Sequence, residues 1–200
     1  GETDQNTDEQ LGYPENPIRA GYGAGGDKEK YKEYMRRLKE DMQAEVMEAY
    51  GQDEKPLFII YQVSGTYVRT KYSAINMAQL EFAQENDDVI LVQTPYFTSH
   101  YTNSHHLTVN GYRWLGEYIA EYMYNALVEG KKTYPLMPEK IEITGENEIS
   151  IEVSGAENGL EIDTWTVENA TNGNNLYGFN LYVDDAVVKP EKIEISENIC

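Results

Sequence analysis

A single cysteine, Cys200, leaves no partner for an internal disulfide and gives no firm sign of redox compartment. No apolar run approaches the roughly 18 residues that a membrane span needs, which argues against membrane insertion. A basic, then apolar, then small-residue opening of the kind that marks a secretory signal is missing as well. Basic residues are scarce, 16 against 35 acidic ones, and the formal charge of -19 repels nucleic acid and anionic membranes over most of the surface. No G-x-S-x-G nucleophile elbow occurs, and no residue pattern asks for a cofactor. The chain opens at GETD without an initiator methionine or a preceding strand. It stops at KIEISENIC inside a β-like pattern, so the expectation is a fragment of something longer.

Against these absences, 40 % hydrophobic residues with 12 % aromatics suffice to bury a core, and the length fits one or two domains. The pattern changes near residue 135, giving an α/β part over 1–134 and a β-rich, sandwich-like module over 135–200. Residues 5–26, rich in Gly, Asn and Pro, read as a long surface loop. Asp27 is placed to cap a helix that runs to about Tyr50 and stops at Gly51, with a core stripe of Tyr31, Met35, Leu38, Met42, Val46 and Ala49. LFIIYQV, residues 57–63, is a short continuous β-branched run suited to a buried parallel strand. A helix over 72–85 with Ile75, Ala78 and Phe82 inward follows, then a second buried strand, VILVQ, over 89–93. Thr108 caps a last helix to about Val128, with Tyr112, Leu115, Ile119, Met123 and Ala126 facing in. This β-α-β order implies a parallel sheet of flavodoxin-like type with flanking helices.

Beyond residue 138 the period becomes two. KIEIT, ISIEV, LEIDTWTV, FNLYV and KIEIS alternate apolar with polar residues between Gly and Asn turns, which predicts antiparallel strands. The hexapeptide PEKIEI occurs twice, at Pro138–Ile143 and Pro190–Ile195, suggesting a repeated β unit or two equivalent strands.

Ligands of open α/β sheets bind outside the carboxyl ends of the strands, and the segment after VILVQ holds all three histidines, His100, His105 and His106. A histidine set there, just before an amphipathic helix, is suited to act as general base to a hydroxyl. Three histidines in a short stretch also raise metal ligation. That reading is weaker, because neighbours at 105 and 106 rarely point the same way on an extended segment and no carboxylate at ligand spacing accompanies them. A structural or merely exposed histidine is the plain alternative. Tyr96, Tyr101 and Trp114 flank the histidines and are candidates for stacking on a sugar ring, as is Trp165 in the β module, although core aromatics are commoner. Gln62 and Gln79 read equally as packing residues and as substrate contacts. Ser64, in QVSG, ends a strand, yet its neighbourhood does not match a nucleophile block.

The stretch NSHHLTVNGYRWLGEYIA resembles the last block of the SGNH hydrolases, where an Asp and a His three residues later precede Leu or Phe, a Gly and a helix with a Leu-Gly pair. The opening GETD resembles the Gln-Gly-Glu-Ser/Asn block of the sialate O-acetylesterase and acetylxylan esterase branch. KYKEYMRRLKEDM, PLFIIYQVSG and INMAQLEFAQENDDVILVQT are similar to that branch's helix, strand, then Gln-containing helix and strand. The likeness spans roughly residues 1–130. It implies a carbohydrate O-acetylesterase in which His106 is the catalytic base and Asn103 stands where an Asp orients that ring. An amide holds an imidazole but does not stabilise imidazolium; in the serine protease triad that exchange costs about 10⁴ in turnover. Gly1 and Glu2 match the block lining the oxyanion site, whose Gln donor would precede Gly1, and the loss of one such donor typically costs about 10² to 10³ in rate. Glu2 and Asp4 have a bland alternative as a solvated acidic terminus. The family's nucleophilic serine has no match in these 200 residues.

Two expectations follow from the resemblance. One is a serine hydrolase that removes acetyl groups from a glycan, with no metal and no cofactor, and with the β module holding polymer or joining other chains of an assembly. The other is a non-catalytic glycan-binding or structural component, as in a phage tail or cell-surface apparatus, on a hydrolase scaffold. Either implies an extracellular, cell-surface or virion setting.

Overall fold

The computed structural model describes residues 27–64, 74–101, 106–163, 179, 181–184 and 186–200. The chain divides into two compact units, Gly1–Thr133 and Tyr134–Cys200.

In the first unit, three helices and a parallel two-stranded sheet are formed among the described residues: α1 (Lys28–Tyr50), β1 (Phe58–Tyr61), α2 (Ala74–Glu85), β2 (Val89–Val92) and α3 (Val109–Leu127). This is a mixed α/β arrangement in which β1 and β2 pair in register from Phe58 with Val89 to Tyr61 with Val92. The whole of β2 is buried, as its unbroken VILV run requires. The corresponding burial expected of β1 is only partial, and Tyr61 is exposed, because β2 is its one partner among the described residues.

Helix α1 begins and ends where capping chemistry dictates. The Asp27 carboxylate accepts from Lys30 N at 3.0 Å, and Gly51 adopts a left-handed φ of 63° while its N–H closes on the Met47 carbonyl. Its inward face differs from the expected stripe. Tyr31, Lys39 and Gln43 are buried, with Met35 packed beside Tyr31, whereas Leu38, Met42 and Ala49 are exposed. The cause is Asp88, at the entry to β2: its carboxylate accepts from Lys39 Nζ at 2.8 Å and from Gln43 Nε2 at 2.9 Å, so two polar side chains turn inward. Ion pairs of Lys28 with Glu81 and Lys32 with Glu85 join α1 to α2 along the rim.

In α2 the expected Ile75, Ala78 and Phe82 are buried, together with Gln79 and Ala83. Thr108 caps α3 by accepting from Gly111 N at 3.2 Å. The buried face of α3 carries Gly111, Leu115 and Tyr122, with Tyr118, Ile119 and Ala126 partly buried, and not the expected Tyr112 and Met123, which point to solvent. The core here is formed by Ile90, Val92 and Tyr122, and the side chains on a ~100° stripe compete for one sheet surface, so a small rotation of the helix changes which of them are covered.

In the second unit, β3 (Met137–Gly145) and β4 (Glu148–Ser154) form an antiparallel hairpin, and β5 (Leu181–Val183) pairs with β6 (Ala186–Val188). The expected strand KIEIS is not formed over 192–195. Instead the last residues add to the free edge of β4, with Ile151 and Cys200 exchanging N–H···O bonds at 2.7 and 3.0 Å and Val153 N donating to Asn198 O at 2.9 Å. Of LEIDTWTV, residues 160–163 are not a strand and 164–167, Trp165 included, lie outside the described residues. Ile141 and Ile143 sit 63 % and 82 % exposed, so their side of the hairpin is not a core among the described residues.

Candidate functional site

Parallel pairing sends the carboxyl ends of β1 and β2 to one edge of the sheet, and there the chemistry-bearing residues gather. After β1 come Gln62, Val63 and Ser64; after β2 come Thr94 and the segment that carries the histidines.

The Gln62–Ser64 stretch is fastened from several sides. Val63 is buried; its N–H donates to Gln79 Oε1 at 2.9 Å, and its carbonyl accepts from Asn76 Nδ2 and, at 3.5 Å, from Thr94 Oγ1. Gln62 Nε2 donates to the Asn76 carbonyl at 2.9 Å, and Gln79 Nε2 to Tyr31 Oη at 3.0 Å. Gln79 is therefore a core residue that ties α2 to β1 and α1, the packing alternative of its two readings. An unpaired buried amide costs several kcal/mol at the upper end, so this pairing fixes the backbone that presents Ser64.

The histidine segment doubles back on itself. Tyr101 N donates to His106 O at 3.0 Å and Thr108 N to Ser99 O at 2.9 Å, which makes His100 and Leu107 a non-hydrogen-bonded antiparallel pair. Such a pair shares one face of the ribbon, and alternation puts Tyr101 and His106 on the other. Exposure agrees: Leu107 is buried and His100 half-buried, whereas Tyr101 and His106 are exposed. The two described histidines thus serve different faces.

His106 lies two residues before the Thr108 cap of α3 and is exposed. His100 is oriented more tightly. Its Nδ1 is 2.8 Å from the Thr98 carbonyl oxygen, and its Nε2 is 3.5 Å from Ser64 Oγ. A carbonyl only accepts, so Nδ1 carries the hydrogen, and in the neutral ring Nε2 turns its lone pair toward the serine. This contact joins two residues far apart in sequence, and only the end of a buried β run followed by Ser hinted at it. Asn103, His105, Gly1, Glu2 and Asp4 lie outside the described residues.

Aromatic rings join the segment after β2 to α3. Tyr96 and Phe97 meet edge-on with centroids 5.6 Å apart, Phe97 meets Tyr118 at 5.8 Å, and Trp114 lies 6.5 Å from Tyr118. Tyr96, Tyr101 and Trp114 keep exposed surface. In the second unit an open groove of about 710 Å³ is lined by Glu139, Val153, Ala156, Glu157, Glu197 and Asn198, among others, so three glutamates face it beside apolar side chains. Among the described residues no three His, Cys, Asp or Glu side chains come together as metal ligands, and no helix is long and apolar enough to cross a membrane.

Compared with family models, curated proteins and solved structures, the chain gives no match.

Proposed function

We propose that this chain belongs to a carbohydrate O-acetylesterase of SGNH-hydrolase type, its parallel pair of strands being part of a flavodoxin-like sheet, with His106 as the general base. The observation that carries the reading is the position of His106: exposed, beyond the carboxyl end of β2, and anchored through its own carbonyl two residues before the Thr108 cap of α3. In this mechanism the imidazole accepts the proton of an attacking serine and returns it to the departing sugar hydroxyl. The resemblance gives Asn103 the role of orienting the ring, and Gly1 and Glu2 a place in the block that lines the oxyanion site. The serine belongs to the family's nucleophile block, which has no counterpart in the 200 residues. The test is acetate release from a chromogenic acetate ester by the intact protein. His106→Ala is expected to lower the rate by about 10² or more; equal rates for parent and variant remove His106 from the role.

A second reading is favoured by the exposure of Tyr96, Tyr101 and Trp114, which flank the histidines in sequence: retention of an acetylated glycan without turnover, as a wall or tail component would need. Binding of an acetylated glycan that Trp114→Ala abolishes, with no acetate released, selects it.

A further inference from the structure

We infer that Ser64 and His100 form a nucleophile and base pair of their own, held within the first unit and able to take an acyl group from a small activated carboxylic ester. The inference does not rest on His106, which the pairing of 99–101 with 106–108 sends to the opposite face.

Three features build the pair. Ser64 follows a backbone clamped by Gln79, Asn76 and Thr94, so its Cα is held at the carboxyl edge of the sheet. His100 is fixed twice, in its backbone by the ladder bonds on either side and in its ring by the 2.8 Å bond from Nδ1 to the Thr98 carbonyl. That bond selects the tautomer whose Nε2 accepts, and Nε2 stands 3.5 Å from Ser64 Oγ, a distance of the kind that shortens when an acyl substrate closes the site. Both residues are half-buried.

The chemistry balances without any further reagent. As Oγ bonds to the ester carbonyl carbon, its proton moves to Nε2; the bond from that carbon to the alcohol oxygen breaks, and the alcohol takes the proton from Nε2. Water then attacks the acyl-serine, gives a proton to Nε2, and the carboxylic acid leaves as Oγ recovers the proton. The orienting group is a neutral carbonyl, which stabilises imidazolium less than a carboxylate does, so the pair suits good leaving groups and slow turnover.

The experiment treats the protein with phenylmethylsulfonyl fluoride and, separately, with p-nitrophenyl acetate, and locates the adduct by mass mapping of peptides. In the first case Oγ bonds to sulfur, fluoride leaves and His100 takes the proton. An adduct on Ser64 is expected, absent in Ser64→Ala and formed at least about 10²-fold more slowly in His100→Ala and in His100→Asn, whose amide still donates to the Thr98 carbonyl and so protects the fold. No adduct on Ser64 in the folded parent, or an adduct formed at the parental rate in folded His100→Asn, overturns the inference. The readout is modification of one named serine, so it can fail while the acetate-release test of His106 succeeds, or the reverse.

Discussion

Gly111, in the first turn of α3, faces the carbonyl oxygen of Ser99 so closely that a Cβ placed there would collide with it, and would also touch Leu107 Cβ at 3.0 Å. That oxygen is already engaged, accepting from Thr108 N at 2.9 Å, so neither side of the contact is a flexible side chain able to move away. The helix and the histidine ribbon are locked by the lack of one methyl group.

Gly111→Ala is therefore expected to destabilise the fold by about 1–3 kcal/mol through overpacking. Gly116, on the same helix, has open space around it, and Gly116→Ala is expected to stabilise by about 0.5–1 kcal/mol through helix propensity. Thermal melting of the two variants checks the contrast, and equal effects would show that Ser99 yields. In an NMR spectrum, only Gly111→Ala should move the ring signals of His100.

Asp88 contributes to the acid sensitivity of the first unit. Burial alone would raise its carboxyl, but hydrogen bonds from the Lys39 ammonium and the Gln43 amide outweigh that and hold it below the ordinary aspartate value. A lowered folded value means that the stabilisation is complete above the ordinary aspartate range and is lost as the pH falls through the folded value. Asp88→Asn leaves the buried Lys39 charge without its carboxylate, and a loss on the order of 3 kcal/mol is expected at neutral pH. Urea unfolding at neutral and strongly acidic pH should show the gap between parent and variant closing in acid.

Tyr122 sets an alkaline limit. Burial foremost, with Glu121 and Tyr118 adding to it, pushes its phenol from 10.0 up to about 12. Because the folded value is raised, its contribution is intact below the ordinary tyrosine value and falls away as the pH climbs from there to about 12. Tyr122→Phe should make the decline in stability over that interval shallower by roughly 2 kcal/mol. Urea midpoints measured across the interval decide it; parallel curves would mean that the phenol is not desolvated.

Burial likewise pushes the Cys200 thiol up, while its backbone pairs with Ile151 at the edge of β4. Less thiolate at neutral pH means slower thiol chemistry. The folded protein is expected to react with a disulfide reagent several-fold more slowly than the same protein in urea, and matching rates would show that the terminal segment does not stay on β4.

Much of the first unit is legible in one dimension because its signals are local. Asp27 and Gly51 mark the ends of α1 and Thr108 the start of α3 by capping geometry, and VILV announces a fully buried strand by composition alone. Helix faces were less legible. Leu38 and Met42 fit an apolar stripe, yet Lys39 and Gln43 are the buried residues, because the partner that draws them in, Asp88, is remote in sequence. In the second unit the two copies of PEKIEI adopt different structures. The first is in β3, paired with β4; over the second, residues 192–195 form no strand and only the residues after them join β4. Identical residues carry identical propensity, so the difference comes from the strand edge available to each.

The candidate site divides along the same line. Short-range chemistry in the chain was enough to place His106 before a capped helix and to put the histidines after the second buried strand. The approach of Ser64 to His100, the tautomer that Thr98 imposes, and the separation of His100 from His106 onto opposite faces were decided by tertiary structure alone. They depend on parallel strand pairing and on a two-sided ribbon, and hydrogen bonds between residues distant in sequence leave no periodic trace in the order of the amino acids.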